Sequence, residues 1–279
     1  MKISALQMVS TTHVGANLVA AQHLIARAAN EGAELVALPE NFCLMGHQDR
    51  DKVLIAESPG NGPIQQMLSH CAHENAVWVI GGTLPLLTDD PERVLNTCCA
   101  FAPDGTQVAR YDKIHLFNYR NEREQYDEGR SIRCGNEAVA FDAQVSDGSL
   151  RIGLSVCYDL RFPELYRALM DPPCDLLVVP SAFTYTTGRA HWEVLLRARA
   201  IENQCYVIAP AQGGHHENGR RTWGHSVIVD PWGEVLACRD EGEGIVAAAL
   251  ERARLQSVRA QLPALTHRSD FLRAASAVR

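Results

Sequence analysis

LRIGLSVCYDLRFPELY, residues 150–166, reads as three pieces in succession. The run 150–156 is short and apolar, the pattern of a strand buried on both faces. Cys157 ends it, and a helix begins near Pro163 and Glu164. A strand-to-helix turn of this kind exposes a nucleophile at the carboxyl edge of a sheet, where adjacent backbone N–H groups face a developing oxyanion. The plain alternative is that Cys157, like any lone cysteine in an apolar strand, is a small buried hydrophobe.

Similar apolar runs at 34–40, 76–83 and 174–181 predict more buried strands. Further strands are expected at 95–103, 106–111, 205–211, 225–230, 234–238 and 244–250, many beside Gly or Pro turns. Leu18, Ala21, Leu24, Ile25 and Ala28 follow helical spacing, as do Val194, Leu195, Ala198 and Ile201. Many strands for few helices predict an α/β fold of stacked sheets with outer helices. Neither a repeat nor a linker interrupts the chain, so residues 1–279 are expected to form a single domain. The polar segment 118–137 has no clean period and reads as a long loop, either functional or simply solvated.

Lys and Arg number 26 against 33 Asp and Glu, a net charge of −7, so no positive field draws nucleic acid or acidic lipid. No apolar run approaches the ~20 residues that span a bilayer. Nine cysteines at irregular spacings argue against a disulfide framework. MKISALQMVS at the N-terminus reads as a first strand, and a soluble cytoplasmic protein is expected.

Two further residues suit acyl transfer. Glu40 ends the strand-like run ELVALP, where a partly shielded carboxylate could take a thiol proton and return it to a leaving amine; an ordinary surface Glu reads equally well. Lys113, between apolar neighbours in YDKIHLF, could be a fixed cation facing an oxyanion, or a snorkelling surface Lys. Substitution at Lys113 is expected to abolish turnover nearly completely without unfolding the protein. The groups His70, Cys71, His73 and His215, His216 lack a second ligand pair at zinc spacing and read as surface or loop residues; no metal is expected. Gly153–Cys157 lacks the second glycine of a serine elbow, leaving Ser155 as core, and a papain-like pairing of Cys157 with His115 or His191 lacks that family's local motif. Arg197, Arg199 and Glu202 form either buried ion pairs or a solvated face.

Taken together, ALPEN at 37–41, YDKIHLF at 111–117 and VCYDLRFPELY at 156–166 resemble the Glu–Lys–Cys motifs of the nitrilase superfamily of carbon–nitrogen hydrolases. Later blocks at 191–212 and 223–235 are also similar, so the resemblance spans nearly the whole chain. The stretches 213–226 and 262–271 are most like the deaminated glutathione amidase branch. The resemblance implies a four-layer α-β-β-α sandwich, subunits that pair as homodimers or larger assemblies, and no cofactor. It implies a second Glu after the Lys motif and before a Gly; Glu128, followed by Gly135, matches best, with Glu122 and Glu124 as competitors.

By this resemblance Cys157 attacks a small oxo-acid amide, Lys113 and the Tyr158 backbone N–H stabilise the oxyanion, Glu40 shuttles the proton, and Glu128 orients Lys113 or the substrate. Arginines are expected to bind substrate carboxylates. Arg161 is expected to brace the nucleophile turn, while Arg120, Arg123, Arg130, Arg189, Arg220 and Arg221 lie in loops. The implied substrate is deaminated glutathione, cleaved to 2-oxoglutarate and Cys-Gly. The alternatives are an ω-amidase acting on 2-oxoglutaramate, a nitrilase, and a non-catalytic protein that kept the fold.

Overall fold

The computed structural model describes residues 1–120 and 125–269, so Glu122, Arg123 and Glu124, with the end of the 262–271 stretch, lie outside the described residues. Two large sheets organise the chain. The first has eight strands, running Gly244–Ala249, Lys2–Gln7, Leu35–Ala37, Trp78–Ile80, Val94–Phe101, Leu84–Leu87, with Gln107–Asp112 and Ile132–Arg133 also paired to Val94–Phe101. The second has six, running Val139–Val145, Gly148–Leu154, Leu176–Val178, Tyr206–Ala209, Ser226–Val229, Val235–Arg239. Each sheet has three parallel strands at its centre.

Side-chain alternation in the first sheet builds two cores at once. Ile3, Ala5, Leu35, Ala37, Ile80 and Cys98 face the second sheet and join Ile152, Leu154, Leu176 and Val178 in one cluster. Their neighbours Leu6, Val36, Val79 and Cys99 point the other way, into a cluster with Leu24 and Ile25 of the helix Val14–Asn30 and Leu68 of the helix Pro63–Asn75. On the far side, Tyr185–Asn203 and Pro163–Ala168 pack on the second sheet and on each other. The fold is the expected α-β-β-α sandwich.

The strands expected at the ten positions above are all present. The helix at 185–203 forms with the opposite face inward. Trp192, Leu196, Arg199, Ala200 and Asn203 are buried, whereas Val194 is 62% and Ile201 48% exposed. Arg199 is buried because Nε and Nη2 both donate to the Leu160 carbonyl, at 3.1 and 2.7 Å, and Nη1 pairs with Glu202 at 2.8 Å. Apolar spacing alone could not anticipate a buried arginine. Segment 118–137 is not one loop: Asn118–Arg120 pairs antiparallel with Gln125–Asp127, and a 3-10 turn follows at Glu128–Arg130.

Candidate active site

The carboxyl ends of the central strands converge on one cavity, as in other α/β sheets. Glu40 follows Leu35–Ala37, Lys113 follows Gln107–Asp112, Cys157 follows Gly148–Leu154, and Ala182 follows Leu176–Val178. Glu40, Glu128, Cys157, Tyr158 and Ala182 line that cavity.

Glu40 is buried, which removes the surface reading. Its Oε1 accepts hydrogen bonds from Lys113 Nζ at 2.8 Å and Asn96 Nδ2 at 3.0 Å, and Oε2 accepts from the Ala182 N–H at 3.0 Å. Every oxygen therefore has a fixed donor before any substrate arrives.

The Lys113 side chain is fully buried, so it does not snorkel. Its ammonium bridges Glu40 at 2.8 Å and Glu128 Oε2 at 2.8 Å. Burial alone would depress its pKa, but the Glu128 and Glu40 carboxylates override this and hold it well above the ordinary lysine value. Burial likewise opposes charge on Glu128, yet Lys113, then Lys52 and the Phe117 N–H, hold that carboxyl below its usual range. Glu128, one of the three glutamates weighed as the second Glu, bonds Lys113, and the other two, Glu122 and Glu124, lie outside the described residues. Gly135 packs beneath this cation. Its N–H donates to the Lys113 carbonyl at 2.8 Å, and a Cβ there would lie 2.1 Å from the Asp112 carbonyl oxygen, so only glycine fits. Removing Lys113 would leave two buried carboxylates without their cation, so its loss is expected to cost stability as well as turnover.

Cys157 opens a 3-10 turn, Cys157–Arg161, with φ +50°, a left-handed conformation that costs a non-glycine residue of order 1–2 kcal/mol. Its N–H donates to the Pro180 carbonyl at 2.9 Å; Tyr158 is next, in the first turn, where N–H groups lack intrahelical acceptors. Burial, then the Glu40 charge, pushes the Cys157 thiol well above its usual pKa, outweighing Lys113. Both effects favour the neutral thiol, so a nucleophilic role for Cys157 would call for a base.

Asp159, which sequence reasoning passed over, ties the turn together. Fully buried, it accepts from the Val156 N–H at 2.8 Å and the Tyr111 hydroxyl at 2.7 Å on Oδ2, and from the His115 N–H at 3.0 Å on Oδ1, with His115 Nδ1 2.7 Å from the same oxygen. An acid two residues after the nucleophile and a Tyr two before Lys113 were the available signals. Asn96 was missed as well, since nothing in its strand marks one polar position as facing Glu40.

His115 is thus engaged by Asp159, and His191 Nδ1 lies 3.1 Å from Arg161 Nη1, which leaves the papain-like pairings unrealised. Ser155 is core, donating to the Val178 carbonyl at 3.1 Å. His70 and His73 are exposed and Cys71 buried, whereas His216 is buried, not surface, 2.7 Å from the Thr222 hydroxyl and with its pKa lowered by burial. Among the described residues no group of His, Cys, Asp or Glu could hold a metal. Arg161, Arg220 and Arg221 line the cavity with Lys52. Arg161 lies over the Tyr158 ring of the same turn at 5.7 Å, and Arg199, reaching from the neighbouring helix to the Leu160 carbonyl, braces it as well.

The profile of the family described as "Carbon-nitrogen hydrolase" matches residues 2–260. The chain belongs to the carbon-nitrogen hydrolase family. This hydrolase is 43% identical over 267 residues to a deaminated glutathione amidase of Synechocystis sp., covering 95% of this chain and 97% of that one. It is 36% identical over 272 residues to human omega-amidase NIT2, covering 97% and 96%. Among solved structures, the C. elegans NitFhit protein superposes with a TM-score of 0.86 at 36% identity, over 97% of this chain and 65% of that longer one.

Proposed function

We propose that this hydrolase is a cysteine amidase of small oxo-acid amides, cleaving deaminated glutathione to 2-oxoglutarate and Cys-Gly. The observation that carries the mechanism is the Lys113 ammonium bridging Glu40 and Glu128 at the cavity that Cys157 lines. Glu40 takes the thiol proton as sulfur adds to the amide carbonyl. The Lys113 ammonium and the Tyr158 N–H receive the oxyanion. Collapse breaks the C–N bond, and Glu40 delivers the proton to the departing amine. Water, deprotonated by Glu40, then adds to the thioester; its collapse releases the carboxylic acid and returns the thiol. Glu128, anchored by the Phe117 N–H at 2.8 Å, keeps Lys113 charged and in place. The substrate reading draws on the Synechocystis relative, whose name states that activity.

The test is to incubate the protein and its Cys157→Ala variant with deaminated glutathione and, separately, 2-oxoglutaramate, following 2-oxoglutarate. Cys157-dependent turnover favouring the first substrate supports the proposal. Preference for 2-oxoglutaramate moves the assignment to the ω-amidase activity for which the human relative is named. We further place the enzyme in the cytoplasm, where its nine unpaired thiols suit reducing conditions. We infer pairing of subunits through the face bearing exposed Val194, Ile201 and Trp232, to be checked by light scattering.

A further inference from the structure

Four cations line the active-site cavity, and their partners differ. Arg220 Nη2 pairs with Asp49 at 3.3 Å and Arg221 Nη2 with Glu241 at 2.7 Å, so both positive charges are answered by carboxylates. Arg161 has no acidic partner, but its guanidinium lies over the Tyr158 and Phe183 rings at 5.7 and 5.4 Å and reaches His191, which fixes it as part of the wall. Lys52 is different. It is half-buried on the short helix Asp51–Leu54, lines the cavity, and has no hydrogen-bond or ion-pair partner among the described residues. The cavity's acidic groups are already engaged: Asp49 by Arg220, Asp127 by Arg130 at 3.5 Å, and Glu40 and Glu128 by Lys113.

The segment that leads into the Lys52 helix is anchored. Asn218 Nδ2 donates to the Met45 and Gly46 carbonyls at 3.2 and 2.6 Å, and the Arg220–Asp49 pair ties the same segment to the 216–222 turn. An ammonium at the rim of the cavity with no protein partner among the described residues has its N–H donors free for an anionic ligand.

We propose that Lys52 is the specificity-determining cation of this site, pairing with a carboxylate on the acyl portion of the amide substrate. The acyl side is chosen because its carboxylate is the one common to both candidate substrates. The inference rests on the amidase reading and sharpens it, because deaminated glutathione and 2-oxoglutaramate share the same 2-oxo-acid acyl group and differ only in the amine released. Of the arginines expected to fill this role that line the cavity, Arg220 and Arg221 are paired with carboxylates and Arg161 is stacked on two aromatic rings.

The test uses Lys52→Met and Lys52→Arg in the full chain, with thermal melts to verify folding. Lys52→Met should raise KM about tenfold or more for both amides, acting mainly through KM rather than kcat, and Lys52→Arg should recover part of the loss. An unchanged KM, or a loss confined to deaminated glutathione, overturns the proposal, the latter because it would put the cation on the amine side. A readout independent of turnover separates this inference from the amidase reading. 2-Oxoglutarate should protect Cys157 from iodoacetamide in the unsubstituted protein and do so at least about fivefold less well in Lys52→Met. If neither amide is hydrolysed, the substrate reading falls, while protection that depends on Lys52 still supports the carboxylate site; protection absent or equal in both proteins overturns it.

Discussion

The Tyr111 hydroxyl donates to Asp159 Oδ2 at 2.7 Å, joining the strand that leads to Lys113 with the turn that begins at Cys157. The two sheets each carry part of the candidate site, and this buried contact, with those of Val156 and His115 to the same carboxylate, sets one part against the other.

Asp159→Asn should therefore act on geometry. Its amide would present N–H groups to donors that now face oxygen, at a cost of about 2–4 kcal/mol. Urea unfolding should show that loss together with a fall in kcat of at least about tenfold. A variant as stable and active as the parent would remove Asp159 from its positioning role.

Lys113→Met should lower turnover by about a hundredfold or more, since an oxyanion donor is lost. It should also destabilise the protein by about 3–5 kcal/mol, because Glu40 and Glu128 remain buried without their cation. Measuring the melting temperature beside kcat separates the two effects. A stability equal to that of the parent would mean that the carboxylates take up protons at little cost.

Alkylation by iodoacetamide should single out Cys157 by mechanism rather than by exposure. Cys134 and Cys238 are exposed and will react too, but only the Cys157 rate should fall in Glu40→Gln, by about tenfold or more, because its thiol has lost its base. Peptide mapping after short exposure near neutral pH reads this directly. Equal loss at all three cysteines would point to a general change in the fold.

Alkaline conditions should weaken the fold. Burial pushes the Cys43 and Cys99 thiols from 9.0 to about 12. Above pH 9 the unfolded chain releases protons that the folded chain keeps, so their contribution is complete below that pH and is lost as pH rises toward 12. Each thiol is worth about 1.4 kcal/mol per pH unit across that window. The urea midpoint should fall between about pH 8.5 and about pH 10.5, and fall less steeply in Cys43→Ala. A midpoint independent of pH would contradict this account.

Much was legible in the chain itself because it rests on local periodicity and spacing. The apolar runs around Leu35–Ala37, Gly148–Leu154 and Leu176–Val178 are too short for helices and too uniform for half-exposed strands, so they had to be buried in a sheet. The breaks after them carry Glu40 and Cys157, and the sheet edge is where a polar side chain can emerge. Their order, with Lys113 between them, was enough to suggest the chemistry.

Only the tertiary structure decided which polar groups face each other. Glu40 is buried against Asn96 and Ala182, partners 56 and 142 residues away, and no local pattern encodes such distances. The helix Tyr185–Asn203 packs inward through Trp192, Leu196 and Ala200 together with Arg199, which bonds the Leu160 carbonyl, and leaves Val194 and Ile201 exposed. Lys52 shows the same division. By sequence it is one more surface lysine beside Asp51, and only the closure of the 216–222 turn over its segment, which occupies Arg220 with Asp49, leaves it at the cavity with no hydrogen-bond or ion-pair partner among the described residues. Strand and helix follow from short-range sterics and burial, which the sequence determines by itself; charge pairing across a folded cavity depends on distances that exist only once the sheets have packed.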